Sequence, residues 1–507
     1  MFSRTYGATV FGLHGNIITV ETDISNGLPA FEIVGLAATS VKESKERVRS
    51  AIKNSGYEFP MRRITVNLAP ADLRKDSAGL DAAIAAGIMV SSGQIPAELC
   101  RQTLFIGELA LDGTIRPVAG ILSMVLQGAE EGFHTCFDQQ GKNAAEALLC
   151  SAMTVYAVES LSDIISHLLG LVRLSPAVAG DVFTDRPDYR VDFSEVQGQF
   201  TAKRALEIAA AGGHNVLLIG PPGSGKTMLA KRIPTILPPM SLRESLEVTK
   251  IYSVAGLFQQ SKMLAQRPFR SPHHTISTAG LIGGGTIPKP GEVTLSHNGV
   301  LFLDELPEFP RSVLEVLRQP LEDFVVHISR VNASLSYPAR FILIAAMNPC
   351  PCGFFGSSES NSCTCTTGEI RRYVRKISGP LLDRIDLHVA VDRPKYQELI
   401  TTIPQESSEA IRSRVLAARE RQARRLQSYG LSCNAHMGHR EIKETCRLSS
   451  SAQDLLQTVF DTMKLSARSC DRIVKAARTI ADLNGDEHIR SEHVAEAVSY
   501  RNTLQRV

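Results

Sequence analysis

The eight residues Gly220, Pro221, Pro222, Gly223, Ser224, Gly225, Lys226 and Thr227 constrain the fold of this chain more than any other stretch. An apolar run, Asn215 to Ile219, precedes them, and a helix-forming run, Met228 to Arg232, follows. A glycine, four free positions and then Gly-Lys-Thr at a strand-to-helix junction is the pattern of a phosphate-binding loop. The glycines let backbone N–H groups turn inward on a polyphosphate, and the helix offers its partially positive N-terminus to the same charge. In that arrangement Lys226 reaches the β- and γ-phosphates and Thr227 places its hydroxyl on Mg²⁺. The stretch therefore predicts a bound nucleotide, a magnesium ion and a strand–loop–helix unit together.

A chain of 507 residues exceeds what one hydrophobic core fills, so several domains are expected. Fifty-five Lys and Arg against 52 Asp and Glu leave a net charge of only +3, so any nucleic-acid surface must be a local basic patch. Residues 1–20 carry no basic-then-apolar leader, and the longest apolar runs, near Ala82 to Val90 and Phe341 to Met347, are too short to span a bilayer. A cytoplasmic protein without a membrane partner is expected. Ten cysteines in such a chain point to thiols or metal ligands.

Residues 1–167 read as a mixed α/β domain. Alternating apolar positions predict strands within Gly7 to Glu21, at Ala30 to Val34 and at Arg63 to Leu68, and helical spacing predicts helices over Ser40 to Asn54 and Leu80 to Ser91. Thr103 to Leu111 predicts a strand, and the Asp112-Gly113 turn returns it through Thr114 to Val118 as a hairpin. Two stretches resemble the proteolytic domain of Lon proteases: Lys75 to Gly79, which places Ser77 on the nucleophile, and Gly113 to Ile121, which leads to the dyad lysine. Leu122 stands where that lysine is needed, so no base is present to activate Ser77, and an inherited fold without peptidase activity is expected.

Residues 168–190 lose periodicity and gain Pro176, Gly180, Asp185 and Pro187, a linker composition, and residues 191–400 read as a parallel α/β core. Val196, Gly198 and Gln199, one helix ahead of the phosphate loop, are candidates for walling the adenine. Gly299 to Leu303 closes on Asp304 and Glu305, as a buried parallel strand does at its carboxyl end. Asp304 is expected to hold Mg²⁺, through water or directly, and Glu305 to polarise the attacking water. A further strand ends in Asn348, where a neutral amide either orients that water or senses the γ-phosphate. Arg384 lies between Asp383 and Asp386 ahead of a strand, Leu387 to Val391.

The spacing of the phosphate loop, Asp304-Glu305, Asn348 and Leu381-Leu382-Asp383-Arg384 resembles the AAA+ ATPases, and within them the magnesium-chelatase-like branch. Ser271 to His274, Gly283 to Gly285, Leu303 to Phe309 and Asn348 to Cys352 narrow the resemblance to the ComM/YifB-like family, over essentially the whole chain. The resemblance implies an AAA+ parallel-sheet core followed by a helical lid, 401–507. It also implies ATP held between protomers of a ring, usually a hexamer, with Arg384 as the arginine finger in the neighbour's site. Arg468, ahead of an amphipathic helix through Ala481, looks like the second sensor on the nucleotide, with Arg472 as the alternative.

Cys350 and Cys352, then ten residues, then Cys363 and Cys365, form two Cys-x-Cys pairs in an insertion spanning 350–365. Four thiolates on such a loop either close a tetrahedral structural zinc site or remain reduced and unliganded. Phe269, Arg270, His273, His274 and Lys289, in the Gly- and Pro-rich stretch 267–297, suit contact with a threaded polymer or packing between protomers. A hairpin over 324–340 makes Arg330 a candidate for phosphate contact. Arg412, Arg414, Arg419, Arg421, Arg424 and Arg425 form either a solvated face or a DNA-facing stripe. Similarity to competence-type proteins implies a motor on single-stranded or branched DNA with helicase or branch-migration activity. The alternatives are a remodelling motor of magnesium-chelatase type and a Lon-like protease, the latter opposed by Leu122.

Overall fold

A computed structural model describes all residues except 37, 74, 76–77, 179, 181–188, 259–261, 286–287, 331–332, 357–362, 394–404 and 502–507. The chain divides into two compact units. One comprises Met1–Asp185, Leu242–Ala265 and Gly285–Lys289; the other comprises Arg186–Ser241, Gln266–Gly284 and Pro290–Val507. The helix Leu242–Val254, inside the span 191–400, is thus part of the first unit.

The first unit is built on a seven-stranded mixed sheet. Its order is Ala30–Val34, Arg63–Ala69, His14–Ser25, Phe2–Phe11, Thr103–Phe105, Thr135–Gln139 and Thr154–Val158. The region read as strands within Gly7 to Glu21 is one long antiparallel hairpin, paired from Phe2 with Asp23 to Phe11 with His14. The helix Asp81–Ser91 is buried over its whole length, which explains its lack of a polar face. It lies close on the sheet because Gly7 leaves room: a Cβ there would sit 2.8 Å from Leu80 Cδ2 and 3.0 Å from Ala83 Cβ. The stretch Thr103 to Leu111, read as one strand, is two: Thr103–Phe105 joins the sheet, and Glu108–Leu109 pairs across the Asp112-Gly113 turn with Ile115–Arg116 as a separate hairpin.

Leu122 opens the helix Ile121–Glu130 and is fully buried with Leu149, Phe258 and Met263. Its N–H donates to Glu146 Oε1 at 2.8 Å. The residue at the position that the Lon resemblance gives to the dyad lysine is therefore a buried leucine, with the Glu146 carboxylate at its amide. Ser77 lies outside the described residues.

The second unit carries a five-stranded sheet, ordered Phe269–Arg270, Gly299–Leu303, Phe341–Met347, Val216–Ile219 and Leu387–Ala390, with every pair parallel. The three inner strands, Gly299–Leu303, Phe341–Met347 and Val216–Ile219, are apolar throughout, as strands covered on both faces are. The phosphate-loop strand sits between the Asn348 strand and the strand after Arg384, and all three end on the same side. The hairpin Val325–Arg330 with Ala333–Pro338 is antiparallel, and its tip, 331–332, lies outside the described residues.

The lid helices Ser408–Leu426, His439–Thr445, Ser450–Met463, Ala467–Asn484 and Ser491–Ser499 share one hydrophobic core with the sheet, Val415, Ala477 and Val494 meeting Leu206 and Val216 in it. Much of the arginine run is tied to neighbours, while Arg424 stays 81% exposed beside Glu420. Arg414 pairs with Glu207 and Glu406, Arg419 donates to Ala210 O, Arg421 to Asp482 O, and Arg425 to Asp482 and Asn434. Long guanidinium side chains here satisfy the last carbonyls of the helix Phe200–Gly212 and a buried carboxylate, fastening lid to core.

Candidate nucleotide site

The phosphate loop leaves the strand Val216–Ile219 and runs into the helix Lys226–Ile236. Gly220 is required by crowding, since a Cβ there would lie 2.0 Å from Val391 O of the neighbouring strand's end. Gly223 and Gly225 are required by conformation, at φ 76° and 88°. Amides at the start of the following helix have no carbonyl of their own helix to bond and are free for an anion.

Lys226 lies folded across the loop. Its Nζ donates to Gly220 O at 2.6 Å, Pro221 O at 2.9 Å and Asn348 Oδ1 at 3.3 Å. Burial pulls its ammonium below the ordinary lysine value, against Asp304, which raises it. Thr227 Oγ1 donates to Asp304 Oδ2 at 2.7 Å. An octahedral magnesium site with metal–oxygen distances of about 2.1 Å has neighbouring oxygens about 2.9 Å apart, so this hydroxyl and carboxylate fit two of its positions.

Glu305 follows at φ 52°, ψ 47°, a left-handed conformation that costs a non-glycine residue about 1–2 kcal/mol. The strained turn carries its side chain out, 60% exposed, with His274 Nδ1 3.4 Å from Oε2. The sequence marks His274 only as part of the Ser271 to His274 motif and of a loop suited to polymer contact or protomer packing. Its place beside Glu305 follows from the strand Phe269–Arg270 lying next to the strand that delivers the two carboxylates. Glu305, Asn348, Pro351 and Tyr373 line a cavity of about 470 Å³.

The candidate adenine wall approaches the loop from the chain ahead of it. Gly198 and Gln199 are both left-handed, at φ 61° and 56°. That bend brings Gln199 Nε2 within 3.3 Å of Ser224 O and into contact with Asp392 O, while Val196 is buried in the core.

The arginines form a second group. Arg384 is buried, with Nη2 2.7 Å from Glu322 Oε1 and Nη1 donating to Pro380 O at 2.7 Å, while its buried Nε has no hydrogen-bond partner among the described residues. Arg468 Nη1 reaches the same Glu322 oxygen at 3.4 Å, and Arg472 Nη1 donates to Asp386 Oδ1 at 2.8 Å. Among the described residues, no hydrogen bond or ion pair joins Arg384 or Arg468 to the phosphate loop. Glu322, which gathers them, had no motif to mark it in the sequence.

The four cysteines converge. Their sulfurs all lie within 4.8 Å of one another, with Cys350–Cys352 at 3.3 Å, Cys350–Cys363 at 3.7 Å and Cys352–Cys363 at 3.6 Å. A hydrogen bond from the Phe354 amide, joined by others from Cys350, Thr364 and Cys365, outweighs partial burial and draws the Cys352 thiol down to about 6.

A phosphate loop at the end of one parallel strand, an asparagine closing the strand beside it, acidic residues closing the strand beyond that, and a helical lid on the same core define an ATPase of the AAA+ class. Comparison with known proteins places it more closely. Residues 192–399 match the family model "Magnesium chelatase, subunit ChlI", 20–138 match "Subunit ChlI of Mg-chelatase", and 405–501 match the subunit ChlI C-terminal model. The chain is 45% identical to YifB of Salmonella typhimurium over 491 residues, covering 97% of this chain and 95% of that protein. It is 42% identical to competence protein ComM of Haemophilus influenzae over 500 residues, covering 98% and 96% respectively. A weaker similarity, 26% over 175 residues, covering 32% of this chain and 22% of the relative, links it to Lon protease of Mycolicibacterium smegmatis. The chain belongs to the ComM/YifB-like family of magnesium-chelatase-type AAA+ proteins. No helix among the described residues is long and apolar enough to cross a membrane.

Proposed function

We propose that this ATPase is a ring-forming, Mg²⁺-dependent motor that moves on single-stranded or branched DNA, driving strand unwinding or branch migration in the recombination of incoming DNA. The observation that carries the ring is the separation of the two groups. Lys226, Thr227, Asp304 and Asn348 are joined by direct contacts, whereas Arg384 and Arg468 share Glu322 apart from them. A site whose two expected arginines sit elsewhere in the subunit is completed by a neighbour, which supports a closed ring; by the family resemblance this is a hexamer in the cytoplasm. The DNA substrate is supported by the extended similarity to a competence protein.

ATP supplies the transferable phosphoryl group and Mg²⁺ the charge that offsets it. Within the chain, Thr227 and Asp304 hold the metal, Lys226 steadies the phosphates, and Val196, Gly198 and Gln199 wall the base. Glu305 accepts the proton of the attacking water and Asn348 aligns that water. Arg384, with Arg468 beside it, stabilises charge in the adjoining protomer's site. Cys350, Cys352, Cys363 and Cys365 hold a structural zinc ion, because four protein ligands leave no position for water.

ATPase rate and branched-DNA unwinding, measured for wild type beside Lys226→Ala, test this reading. DNA is expected to raise the wild-type rate and the variant to lose both activities. No stimulation by any DNA, with no retention of DNA in a shift assay, would favour a motor that remodels a protein partner, the reading to which the magnesium-chelatase family match points.

A further inference from the structure

The four-cysteine turn packs on the phosphate loop through Gly353. Gly353, next to Cys352, has φ 88°, and a Cβ there would meet Pro222 Cδ at 2.6 Å and Cγ at 2.9 Å, with Asn348 Cγ at 4.0 Å. The backbone of the cysteine turn is therefore packed directly against the proline ring at the loop's centre. Pro222 is held from its other side as well: its carbonyl accepts from Arg393 Nε at 3.0 Å and Nη2 at 2.9 Å. The Arg393 guanidinium in turn lies 5.7 Å from the ring centroid of Phe354, the residue after Gly353.

The remaining connections also end at the nucleotide site. Cys350 stands two residues after Asn348, whose amide oxygen accepts from Lys226. Cys365 precedes Thr366, the N-cap of the helix Thr367–Val374, and Tyr373 of that helix lines the cavity with Glu305 and Asn348. Phe355 N–H donates to Cys350 Sγ at 3.3 Å, an orientation that suits a thiolate. A zinc ion bound tetrahedrally at about 2.3 Å spaces its sulfurs about 3.8 Å apart. Three of the spacings in this cluster are 3.3, 3.6 and 3.7 Å.

We infer that the four-cysteine site holds zinc as a clamp on the phosphate loop, so that the metal sets nucleotide affinity through Gly353 and Pro222 without touching the nucleotide. This rests on the zinc assignment above and adds its purpose. Without the ion, two short Cys-x-Cys turns have little apolar surface of their own to hold Gly353 on Pro222 or Asn348 on Lys226. Because coupling between sites is reciprocal, bound nucleotide also tightens the hold on zinc. Gly353 is a positioning residue in this scheme, acting through Pro222.

The experiment uses full-length protein and reads zinc content, ATP KM and kcat, and fluorescent-nucleotide affinity separately. Wild type is expected to carry one zinc per chain. Stripping it with a chelator under reducing conditions should raise KM about tenfold with a smaller change in kcat, and added zinc, but not magnesium, should reverse this. Gly353→Ala should retain its zinc and lose only a few degrees in thermal unfolding temperature, from the strain at φ 88°, yet show the same rise in KM and in nucleotide Kd. A non-hydrolysable ATP analogue should slow zinc loss to the chelator several-fold in wild type and not in Gly353→Ala. A zinc-loaded Gly353→Ala protein with wild-type KM, or stripped protein that binds nucleotide as before, overturns the clamp while leaving the zinc site standing. Absence of zinc from freshly reduced protein overturns the zinc assignment and the clamp together. Zinc with no nucleotide binding in any form counts instead against the ATPase reading.

Discussion

Glu322→Gln separates the proposed delivery of Arg384 to a neighbour from a purely structural role. The Glu322 carboxylate lies 2.7 Å from Arg384 Nη2 and 3.4 Å from Arg468 Nη1, and Arg384 has to leave it to engage another protomer's nucleotide. At 2.7 Å and an effective dielectric of about 20 the Coulomb attraction is about 6 kcal/mol. Desolvation returns most of it: the Arg384 side chain is 8% exposed and that of Glu322 38%. Fully exposed pairs contribute below about 1 kcal/mol, so a half-exposed carboxylate on a buried guanidinium is placed at about 1.5 kcal/mol. Releasing that restraint corresponds to about a tenfold gain in engagement, since about 1.4 kcal/mol is a factor of ten. The variant should therefore lose about 1–2 kcal/mol of stability by denaturant titration while its kcat for ATP, at concentrations that saturate assembly, rises several-fold. Arg384→Ala should abolish most turnover, and the double variant should match it. A fall in kcat for Glu322→Gln, or undiminished kcat for Arg384→Ala, would refute the argument.

Glu305→Gln should bind nucleotide as wild type and lose at least about 100-fold in kcat, because the amide cannot take the water's proton; single-turnover hydrolysis at a normal rate would remove Glu305 from that role. Asp386 supplies a pH test. Burial alone would raise its carboxyl, but Arg472 first, then the hydrogen bond from His214, hold it well below the usual carboxylate range. Because the folded value lies under the unfolded one of about 3.9, ionised Asp386 stabilises the protein above that pH, and the contribution is lost as pH falls through the acid range. Asp386→Asn should be destabilised by about 3 kcal/mol at pH 7, leaving Arg472 beside a neutral amide. Urea midpoints should show the gap to wild type closing below about pH 4; a gap that stays constant would count against the assignment.

Much of the site could be read along the chain because its parts are short and contiguous. The phosphate loop, Asp304-Glu305, Asn348 and the two Cys-x-Cys pairs each carry their chemistry within a few residues. The lid arginines show the limit of that reading: their helix was legible, but whether a guanidinium faces water, DNA or a carbonyl depends on what packs beside it. Here a C-terminal carbonyl of Phe200–Gly212 takes Arg419, and Asp482 takes Arg421 and Arg425.

Local sequence determined the phosphate loop, the strand that delivers the carboxylates, the broken dyad at Leu122 and the cysteine spacing, since backbone conformation and side-chain chemistry at those points depend on near neighbours. Only the tertiary structure decided that Asn348 meets Lys226, that His274 faces Glu305, that Arg384 and Arg468 share Glu322, and that Gly353 rests on Pro222. Each of these joins residues far apart in the chain. The parallel sheet order decides which strand ends become neighbours, and that order is a property of the packed core, in which no single segment carries the information.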